Sequence, residues 1–329
     1  MAKLTVSLAG VAYDRTRAVF DGSVPVAGCE VIAHPMTPEE AFTRALRHQE
    51  FDVTELSMSN YMTLVARGDP PYVGIPAFVS RLFRHSGIYI RTDKGIERPE
   101  DLKGKTVGVP EYPMTAALWI RGILQDEYGV KPSDIRWRSG GQETPQPTQR
   151  IAIDLPAAID HRRIAGGETL NGMLDRGDLD GMISARAPSC LETNDRVARL
   201  FPDYRADEEA YFAKTGMFPI MHLVAVRRSL VERHPWLPLN LYKTYLKAKA
   251  ICYEHLSEVG HLHTTLPWPV DAFAKAQELM GSDFWRYGVA ENAKEIEAMT
   301  RYAFEQGMTD RKLETEELFA PSVLDVTVS

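Results

Sequence analysis

Short apolar segments alternate with longer amphipathic segments through much of the chain. Short apolar runs predict buried strands, and apolar positions at helical spacing predict helices. The pattern is clearest where a strand over residues 105–109 precedes a helix over residues 114–128, which Gly129 ends, and a second strand near Ile135. From Arg228 onward the pattern is mainly helical. Such alternation predicts an α/β fold.

The same pattern predicts further elements. The additional strands are Leu4–Leu8, Cys29–Ala33, Phe51–Leu56, Val73–Phe78, Gly87–Ile90, Ile151–Asp154, Leu179–Ser184 and Phe218–Val226. The additional helices are Thr169–Arg176, Leu237–Leu256, Val270–Leu279 and Asn292–Gln306.

Polar side chains directly follow several predicted strands. Tyr13, Asp14 and Arg15 come after the first strand. Because ligands in open α/β sheets bind beyond the carboxyl ends of strands, these three are candidate site residues, although Asp14 could equally cap a helix. The strand that begins at Phe51 leads into a second polar loop. Its candidate residues are Ser57, Ser59 and Asn60.

The segment SRLFRHS carries three potential cations, Arg81, Arg84 and His85. It is either a solvated surface turn or an anion clamp. Arg186 follows another predicted strand and is either a substrate ligand or an ordinary surface arginine. His222 lies within an apolar strand, where a satisfied core histidine is the favoured interpretation and ligand binding the alternative.

The loop before the helix at residues 114–128 contains Glu111, Tyr112 and Thr115. Thr115 is the predicted N-cap. A helix N-terminus offers unpaired N–H groups and the positive end of a dipole, which favours binding of a carboxylate or phosphate. The alternative is an ordinary βα turn. Residues 140–149 are rich in Gly, Pro, Thr and Gln and predict a long loop.

Composition narrows the class of protein. The chain has 329 residues, of which 44% are hydrophobic and 25% charged, as in soluble globular proteins with two domains. A net charge of −7 argues against nucleic-acid binding. Cys29, Cys190 and Cys252 have no spacing that indicates disulfides or a cysteine-rich zinc site. No segment approaches the ~20 apolar residues of a membrane helix, and the N-terminus lacks a signal-peptide pattern, so we expect a cytoplasmic protein.

Motifs for metals, nucleotides and nucleophilic serine are absent, including H-E-x-x-H, G-x-S-x-G, G-x-G-x-x-G and the Walker loop. His261 and His263 could present two imidazoles on one face of a strand, but no third ligand is evident. The sequence therefore predicts no cofactor and no resident metal.

Several motifs resemble known families. The run DLKGKTVGVP, followed by a threonine-containing turn and a helix, resembles the second-domain signature of type II periplasmic-binding-protein folds. The segments YDRTRAVFDG, FDVTELSMSNYM, FRHSGIYI, GVPEYPMTAALWIRGILQDEYGV and DGMISARAP together resemble the 4,5-dihydroxyphthalate decarboxylases. The resemblance implies an α/β, two-lobed type II periplasmic-binding-protein-like fold, with two mixed sheets flanked by helices and a ligand cleft between them. It implies a discontinuous first domain of residues 1–90 and 220–329 and an inserted second domain of residues 91–219.

The resemblance also implies an activity. It is the cofactor-independent conversion of 4,5-dihydroxyphthalate to 3,4-dihydroxybenzoate (protocatechuate) and carbon dioxide, in phthalate degradation. The alternative is a solute-binding protein that captures a small aromatic or amine ligand for a transporter, since fold alone does not define function. The expected partner is a small anionic aromatic substrate, not nucleic acid or a membrane, and a homo-oligomer is an open alternative to a monomer.

Decarboxylation of a hydroxylated benzoate needs a general acid, a partner for the ring hydroxyl, cations for the spectator carboxylate and exclusion of water. We expect His85 to transfer the proton, with Glu111 or Tyr13 at the ring hydroxyl. Arg81 and Arg84 should lower the pKa of His85 unless a carboxylate offsets them.

The expected carboxylate clamp uses charge-assisted hydrogen bonds and the start of a helix. Its members are Arg15, Arg84, Arg186 and Thr115. The other substrate-binding candidates are Asp14, Ser57, Ser59, Asn60, Arg81, Tyr112 and His222.

Overall fold

The computed structural model describes residues 2–68, 70–146 and 150–326. Residues 147–149 of the predicted loop therefore lie outside the described part of the chain. The chain divides into two compact units, which we call unit 1 and unit 2. Unit 1 comprises Met1–Arg81, Thr215–Glu297 and Leu313–Ser329, and unit 2 comprises Leu82–Lys214 and Ala298–Lys312.

Strands and helices alternate through most of the described chain. In chain order the strands are β1 (Leu4–Gly10), β2 (Cys29–Pro35), β3 (Val53–Ser57), β4 (Tyr72–Arg81), β5 (Ile88–Arg91), β6 (Thr106–Val109), β7 (Arg136–Ser139), β8 (His161–Arg163), β9 (Gly181–Ile183), β10 (Val197–Arg199) and β11 (Ile220–Arg227). The helices are α1 (Arg17–Phe20), α2 (Pro38–His48), α3 (Met58–Ala66), α4 (Thr115–Tyr128), α5 (Leu170–Arg176), α6 (Cys190–Thr193), α7 (Tyr204–Thr215), α8 (Arg228–Arg233), α9 (Leu237–Ser257), α10 (Pro269–Met280), α11 (Ala293–Glu305) and α12 (Thr315–Leu318).

Unit 1 contains a five-stranded mixed sheet with the order β2-β1-β3-β11-β4. Strand β1 is parallel to β2 and β3, whereas β11 is antiparallel to β3 and β4. The carboxyl ends of β1, β3 and β4 therefore share one edge with the amino end of β11, which we call the carboxyl edge of unit 1. At this edge His222 of β11 pairs with Ser57 of β3 and Ser80 of β4.

Unit 2 contains a six-stranded mixed sheet with the order β10-β5-β9-β6-β7-β8. Strand β6 is parallel to β7 and β9, and β7 is parallel to β8, so the carboxyl ends of these four strands share an edge. Strand β5 is antiparallel to β9 and β10. A buried apolar cluster stabilises this sheet and its helices, and it consists of Tyr89, Leu170, Leu174, Leu179, Met182, Cys190 and Val197.

Helix α4 is buried over ten consecutive residues, from Thr115 to Leu124. A helix covered on all sides belongs to the interior of a protein rather than to its surface. Gly122 fits against the Tyr302 ring, because an added Cβ would come within 2.3 Å of a ring carbon. Gly129, at a φ of 64°, ends the helix in the left-handed conformation that its sequence position predicts.

The observed divisions of the chain differ from the predicted boundaries near residues 90 and 220. The first division falls after Arg81, because β5 pairs within the sheet of unit 2. Residues 298–312 belong to unit 2, although we expected them in the first domain. The strand predicted over residues 151–154 does not form. Strand β7 pairs instead with β8, whose His-Arg-Arg sequence has no apolar signal.

Candidate active site

Glu55 lies near the end of β3 and is almost fully buried, with 3% of its surface exposed. Its carboxylate accepts hydrogen bonds from Val11 N at 3.0 Å and from the Tyr13 hydroxyl at 2.9 Å, and His222 Nδ1 lies 2.6 Å from Oε1. Such donors replace the water that a buried carboxylate loses. At Gly10 a Cβ would come within 3.1 Å of Glu55 Oε2. Glu55 lies in the predicted strand that leads into the second polar loop, but it was not among the candidate site residues, and the available signal was a carboxylate inside an apolar strand.

The His222 imidazole has a hydrogen-bond partner at one ring nitrogen, Nδ1, and an aromatic neighbour. Because an ionised carboxylate only accepts hydrogen bonds, His222 Nδ1 carries the proton in the pair with Glu55. The Phe42 ring contacts the imidazole edge-on, with centroids 4.8 Å apart. The side chain is 18% exposed. His222 is therefore satisfied at Nδ1, as the favoured interpretation expects, but its side chain is only partly buried, and its ligand role stays a prediction.

Tyr13 is a hydrogen-bond donor at this edge. Burial and the neighbouring Glu55 carboxylate raise the pKa of the Tyr13 hydroxyl. The hydroxyl therefore stays protonated at neutral pH and donates to Glu55 Oε1. Tyr13 can position a ring hydroxyl, but it cannot deprotonate one near neutral pH.

The Arg15 guanidinium is stacked between two aromatic rings. Its central carbon lies 4.2 Å from the ring centroid of Tyr13 and 3.9 Å from that of Trp285. Arg15 Nε donates to Val79 O at 2.8 Å, and Nη1 donates to Asp14 Oδ1 at 3.0 Å. With 14% of its side chain exposed, Arg15 is a fixed cation at the carboxyl edge of unit 1. Trp285 was not among the candidate site residues, because it lies in the C-terminal part of the chain, outside the motifs and loops that the sequence indicates.

Two predicted helix caps are displaced. Thr16, not Asp14, occupies the N-cap position of α1, and the exposed Asp14 carboxylate instead accepts from the backbone N–H of Arg15 at 2.8 Å. Met114, not Thr115, is the N-cap of α4. Thr115 is the first residue inside that helix and is buried. The anion site expected at this helix start therefore has no threonine cap.

Three polar residues at the start of α3 lie at the carboxyl edge of unit 1. Ser57, Ser59 and Asn60 are all buried, and the Ser57 and Ser59 hydroxyl oxygens lie 3.5 Å apart. Asn60 Oδ1 is buried without a hydrogen-bond donor among the described residues. A buried amide oxygen in this state can accept from a ligand hydroxyl.

Arg81 is a structural residue and not part of a clamp. Its guanidinium is buried, Nη1 donates to Phe218 O at 2.7 Å, and Nη2 donates to Arg286 O at 2.6 Å. Nη2 also donates to Asn292 Oδ1, and Glu295 lies 3.7 Å from Nη1. Burial lowers the pKa of Arg81 to about 10, so the side chain remains charged at neutral pH. These contacts hold the guanidinium inside unit 1, which argues against the predicted role of Arg81 in substrate binding.

The predicted turn at Arg84 and His85 is buried rather than solvated. His85 is 2% exposed, and its ring contacts those of Phe201 and Tyr211. The pKa of His85 is lowered to about 4, as expected in direction, but the cause is burial rather than the charges of Arg81 and Arg84. Burial also lowers the pKa of Arg84 to about 10, against the opposing charge of Glu208. A neutral, enclosed imidazole is poorly suited to donate a proton, and the buried Arg84 is poorly suited to a clamp.

In unit 2, Glu111 follows β6 and is buried. Its carboxylate accepts from Gln146 Nε2 at 2.9 Å and lies 3.3 Å from Arg150 Nε. Tyr112 is fully buried, and its ring lies 3.8 Å from the Arg121 guanidinium carbon. Tyr112 is therefore a core residue and not a substrate ligand. Glu111 holds neighbouring loop residues, and its predicted catalytic role remains a prediction.

Arg186 lies just beyond β9, as predicted, and is exposed. Its backbone carbonyl accepts from Gln142 Nε2 at 3.2 Å, and Ser184 Oγ donates to Gln142 Oε1 at 2.5 Å. These bonds order the backbone at the carboxyl end of β9.

Within residues 2–68, 70–146 and 150–326, no group of three or more His, Cys, Asp or Glu side chains could hold a metal ion. The rings of His261 and His263 lie 4.8 Å apart, and His255 stacks on His263 at 3.9 Å. Over the same ranges, each helix is too short or too polar to cross a membrane.

Comparison with known proteins first defines the class. A family model described as "ABC transporter, phosphonate, periplasmic substrate-binding protein" matches residues 23–145. The fold is similar to that of the periplasmic sulfonate-binding protein SsuA from Methylobacillus flagellatus KT, with a TM-score of 0.54, 15% identity and coverage of 98% of this chain and 93% of that chain. The two mixed sheets flanked by helices form a type II periplasmic-binding-protein-like α/β fold, which confirms the predicted fold class.

Comparison with curated proteins then identifies the family. A 4,5-dihydroxyphthalate decarboxylase of Comamonas testosteroni is 42% identical over 326 residues, covering 99% of this chain and 99% of the relative. A 4,5-dihydroxyphthalate decarboxylase of Pseudomonas putida is 45% identical over 204 residues, covering 62% of this chain and 79% of that relative. The chain belongs to the 4,5-dihydroxyphthalate decarboxylase family, as its motifs predict.

Proposed function

We propose that this protein converts 4,5-dihydroxyphthalate to 3,4-dihydroxybenzoate and carbon dioxide. The observation that carries the proposal is the similarity to a decarboxylase of that name over nearly the whole length of both chains. We include in the proposal a cytoplasmic location and a role in phthalate degradation. Immunoblots of cytoplasmic and periplasmic fractions from the producing cell test the location.

The chemistry requires no redox group. The ring hydroxyl para to the departing carboxylate supplies electron density, and a general acid protonates the ring carbon that carries this carboxylate. Loss of carbon dioxide then restores aromaticity. The second carboxylate stays on the product, so a fixed cation is needed to hold it while the ring changes charge.

We assign the retained carboxylate to Arg15 at the carboxyl edge of unit 1. Its Nε and Nη1 atoms bind Val79 and Asp14, which leaves Nη2 without a hydrogen bond in the described part of the chain. Stacking between two rings fixes the guanidinium before substrate arrives, which reduces the entropy cost of binding. The buried Asn60 Oδ1 supplies an acceptor for a ring hydroxyl. In unit 2, the exposed Arg186 remains a proposed anion-binding residue.

Capture of a solute for a transporter is the second candidate function. The family match over residues 23–145 to a periplasmic substrate-binding protein favours it. A solute-binding protein would bind an aromatic dicarboxylate with unit stoichiometry and return it unchanged.

One assay separates the two functions. Purified, chelator-treated protein is incubated with 4,5-dihydroxyphthalate, and carbon dioxide and the aromatic product are both measured. Phthalate is the matched control, because it keeps both carboxylates and lacks the electron-donating hydroxyls. We expect catalytic turnover of the first compound and none of the second. If calorimetry shows saturable binding of 4,5-dihydroxyphthalate but no carbon dioxide is released, the protein is a solute-binding protein and not a decarboxylase.

A further inference from the structure

His222 has a different environment at each ring nitrogen. Nδ1 lies 2.6 Å from Glu55 Oε1, so this nitrogen is a hydrogen-bond donor to a buried carboxylate. For Nε2, no hydrogen-bond partner occurs among the described residues, and part of the side chain is exposed. The imidazole is therefore anchored through one nitrogen and accessible to a ligand through the other.

Glu55 is itself fixed, which makes it a rigid support for the imidazole. Val11 N donates to Oε2, and the Tyr13 hydroxyl donates to Oε1, the same oxygen that faces His222. The edge-on contact with Phe42 holds the plane of the ring. A carboxylate that fixes the tautomer and orientation of a histidine, and stabilises its charged form, is the arrangement used in hydrolytic triads.

Two other buried or half-buried histidines lack this arrangement. His85 is enclosed by aromatic rings, and burial lowers its pKa to about 4. His161 Nε2 lies 2.9 Å from the Ser139 hydroxyl, and burial lowers the pKa of its ring. Neither imidazole has a hydrogen bond to a carboxylate among the described residues.

We infer that His222 is the general acid of the decarboxylation and that Glu55 is its positioning residue. This inference rests on the proposed function. Doubly protonated His222 transfers its Nε2 proton to the ring carbon that bears the departing carboxylate. The bond from that carbon to the carboxylate breaks, its electron pair returns to the ring, and carbon dioxide leaves. Neutral His222 regains a proton from water, so each turnover consumes one solvent proton and needs no oxidant or reductant.

The first test compares His222→Gln with His161→Gln. His161 is the matched control, because it is also partly buried and hydrogen-bonded through one ring nitrogen. We expect His222→Gln to lower kcat by roughly 10²- to 10⁴-fold, the contribution of a general acid. His161→Gln should keep kcat within about threefold of wild type, well below a general-acid effect. Thermal unfolding of each variant shows whether the fold persists.

The second test uses Glu55→Gln, which removes the charge and keeps the shape. Among the described residues, the titratable and charged groups around the pair are Glu55 of β3, Tyr13 after β1 with Arg15 stacked on it, and Tyr245 of α9 near Glu55. The contacts from α2 and β4 are Phe42 and Ser80, which do not titrate near neutral pH. Loss of the carboxylate disfavours imidazolium, so the alkaline limb of the kcat profile should move to lower pH. A merely structural role of Glu55 would not move this limb.

The outcomes separate this inference from the proposed function. A wild-type protein that releases no carbon dioxide overturns both. If the wild type is active and a folded His222→Gln variant keeps more than about a third of kcat, the inference alone is overturned. Such a loss is too small for the removal of a general acid. If His222→Gln does not fold, the pH profile of Glu55→Gln decides, and an unmoved alkaline limb also overturns it. Partial recovery of His222→Ala by added imidazole would support proton donation directly.

Discussion

Replacing Trp285 by leucine should weaken substrate binding through Arg15, although Trp285 itself carries no charge. The indole centroid lies 3.9 Å from the guanidinium carbon, and its N–H donates to Phe78 O at 2.8 Å. A cation–π contact at such a largely buried site contributes about 1–2 kcal/mol. Expressed fully in binding, this loss raises KM about 5- to 30-fold. The backbone of the segment should persist, because Tyr253 and Lys249 hydrogen-bond to the N–H and carbonyl of residue 285.

A double-mutant cycle tests whether the effect passes through Arg15. KM for 4,5-dihydroxyphthalate is measured for wild type, Trp285→Leu, Arg15→Lys and the double variant. Lysine keeps the charge and loses the planar fork, so the two changes should overlap and show a coupling of about 1 kcal/mol or more. Trp236→Leu, at an exposed tryptophan of unit 1, is the control and should leave KM unchanged. Additivity within about 0.5 kcal/mol would refute the reasoning, because independent sites behave in that way.

Three further measurements follow from the structure. Thorough chelation should leave the decarboxylation rate unchanged, and restoration of a lost rate by one divalent ion would contradict this. The pKa of His85 falls from 6.5 to about 4 on folding. The contribution of neutral, buried His85 to the free energy of unfolding is therefore fully present above pH 6.5 and is lost as the pH drops toward 4. This contribution is about 3 kcal/mol, so urea titrations should show a smaller loss of stability between pH 6.5 and 4 in a folded His85→Gln variant than in wild type. Arg81→Ala should cost about 3–5 kcal/mol of stability by leaving buried partners unpaired. Arg186→Ala should change stability by less than about 0.5 kcal/mol and raise KM. Equal shifts of the unfolding temperature in Arg81→Ala and Arg186→Ala would refute a structural role of Arg81.

Elements with a strong apolar pattern can be predicted from sequence within a few residues. The helix expected over residues 114–128 is α4 at Thr115–Tyr128, and the strand expected at Leu4–Leu8 is β1 at Leu4–Gly10. Strand β8 is different, because it pairs at the edge of its sheet through polar residues that carry no periodic signal. The division of the chain after Arg81 depends on which strands pair, and local sequence does not contain that information.

The candidate site is partly predictable for a physical reason. Residues after parallel strands, such as Arg15 and Ser57, reach one edge of a sheet whatever their partners are. Burial of a charged residue depends on distant partners, and Arg81 meets Asn292 across 211 positions of sequence. The pair of Glu55 and His222 spans 167 positions. Local composition does not indicate that Arg81 contacts Asn292 or that Glu55 contacts His222. Without these distant partners, the cations at residues 81–85 indicate a clamp.

The place of β11 in its sheet has a consequence for synthesis. Strand β11 lies between β3 and β4, but it begins at Ile220, 139 positions after β4 ends at Arg81. At ~5–20 residues per second, a ribosome needs roughly 7–28 s to supply it. During that interval two nascent strands lack their shared neighbour, and unpaired strand edges promote intermolecular association. In recombinant hosts, we expect the yield of folded protein to rise with slower translation initiation, a lower growth temperature or holdase chaperones that bind the nascent chain.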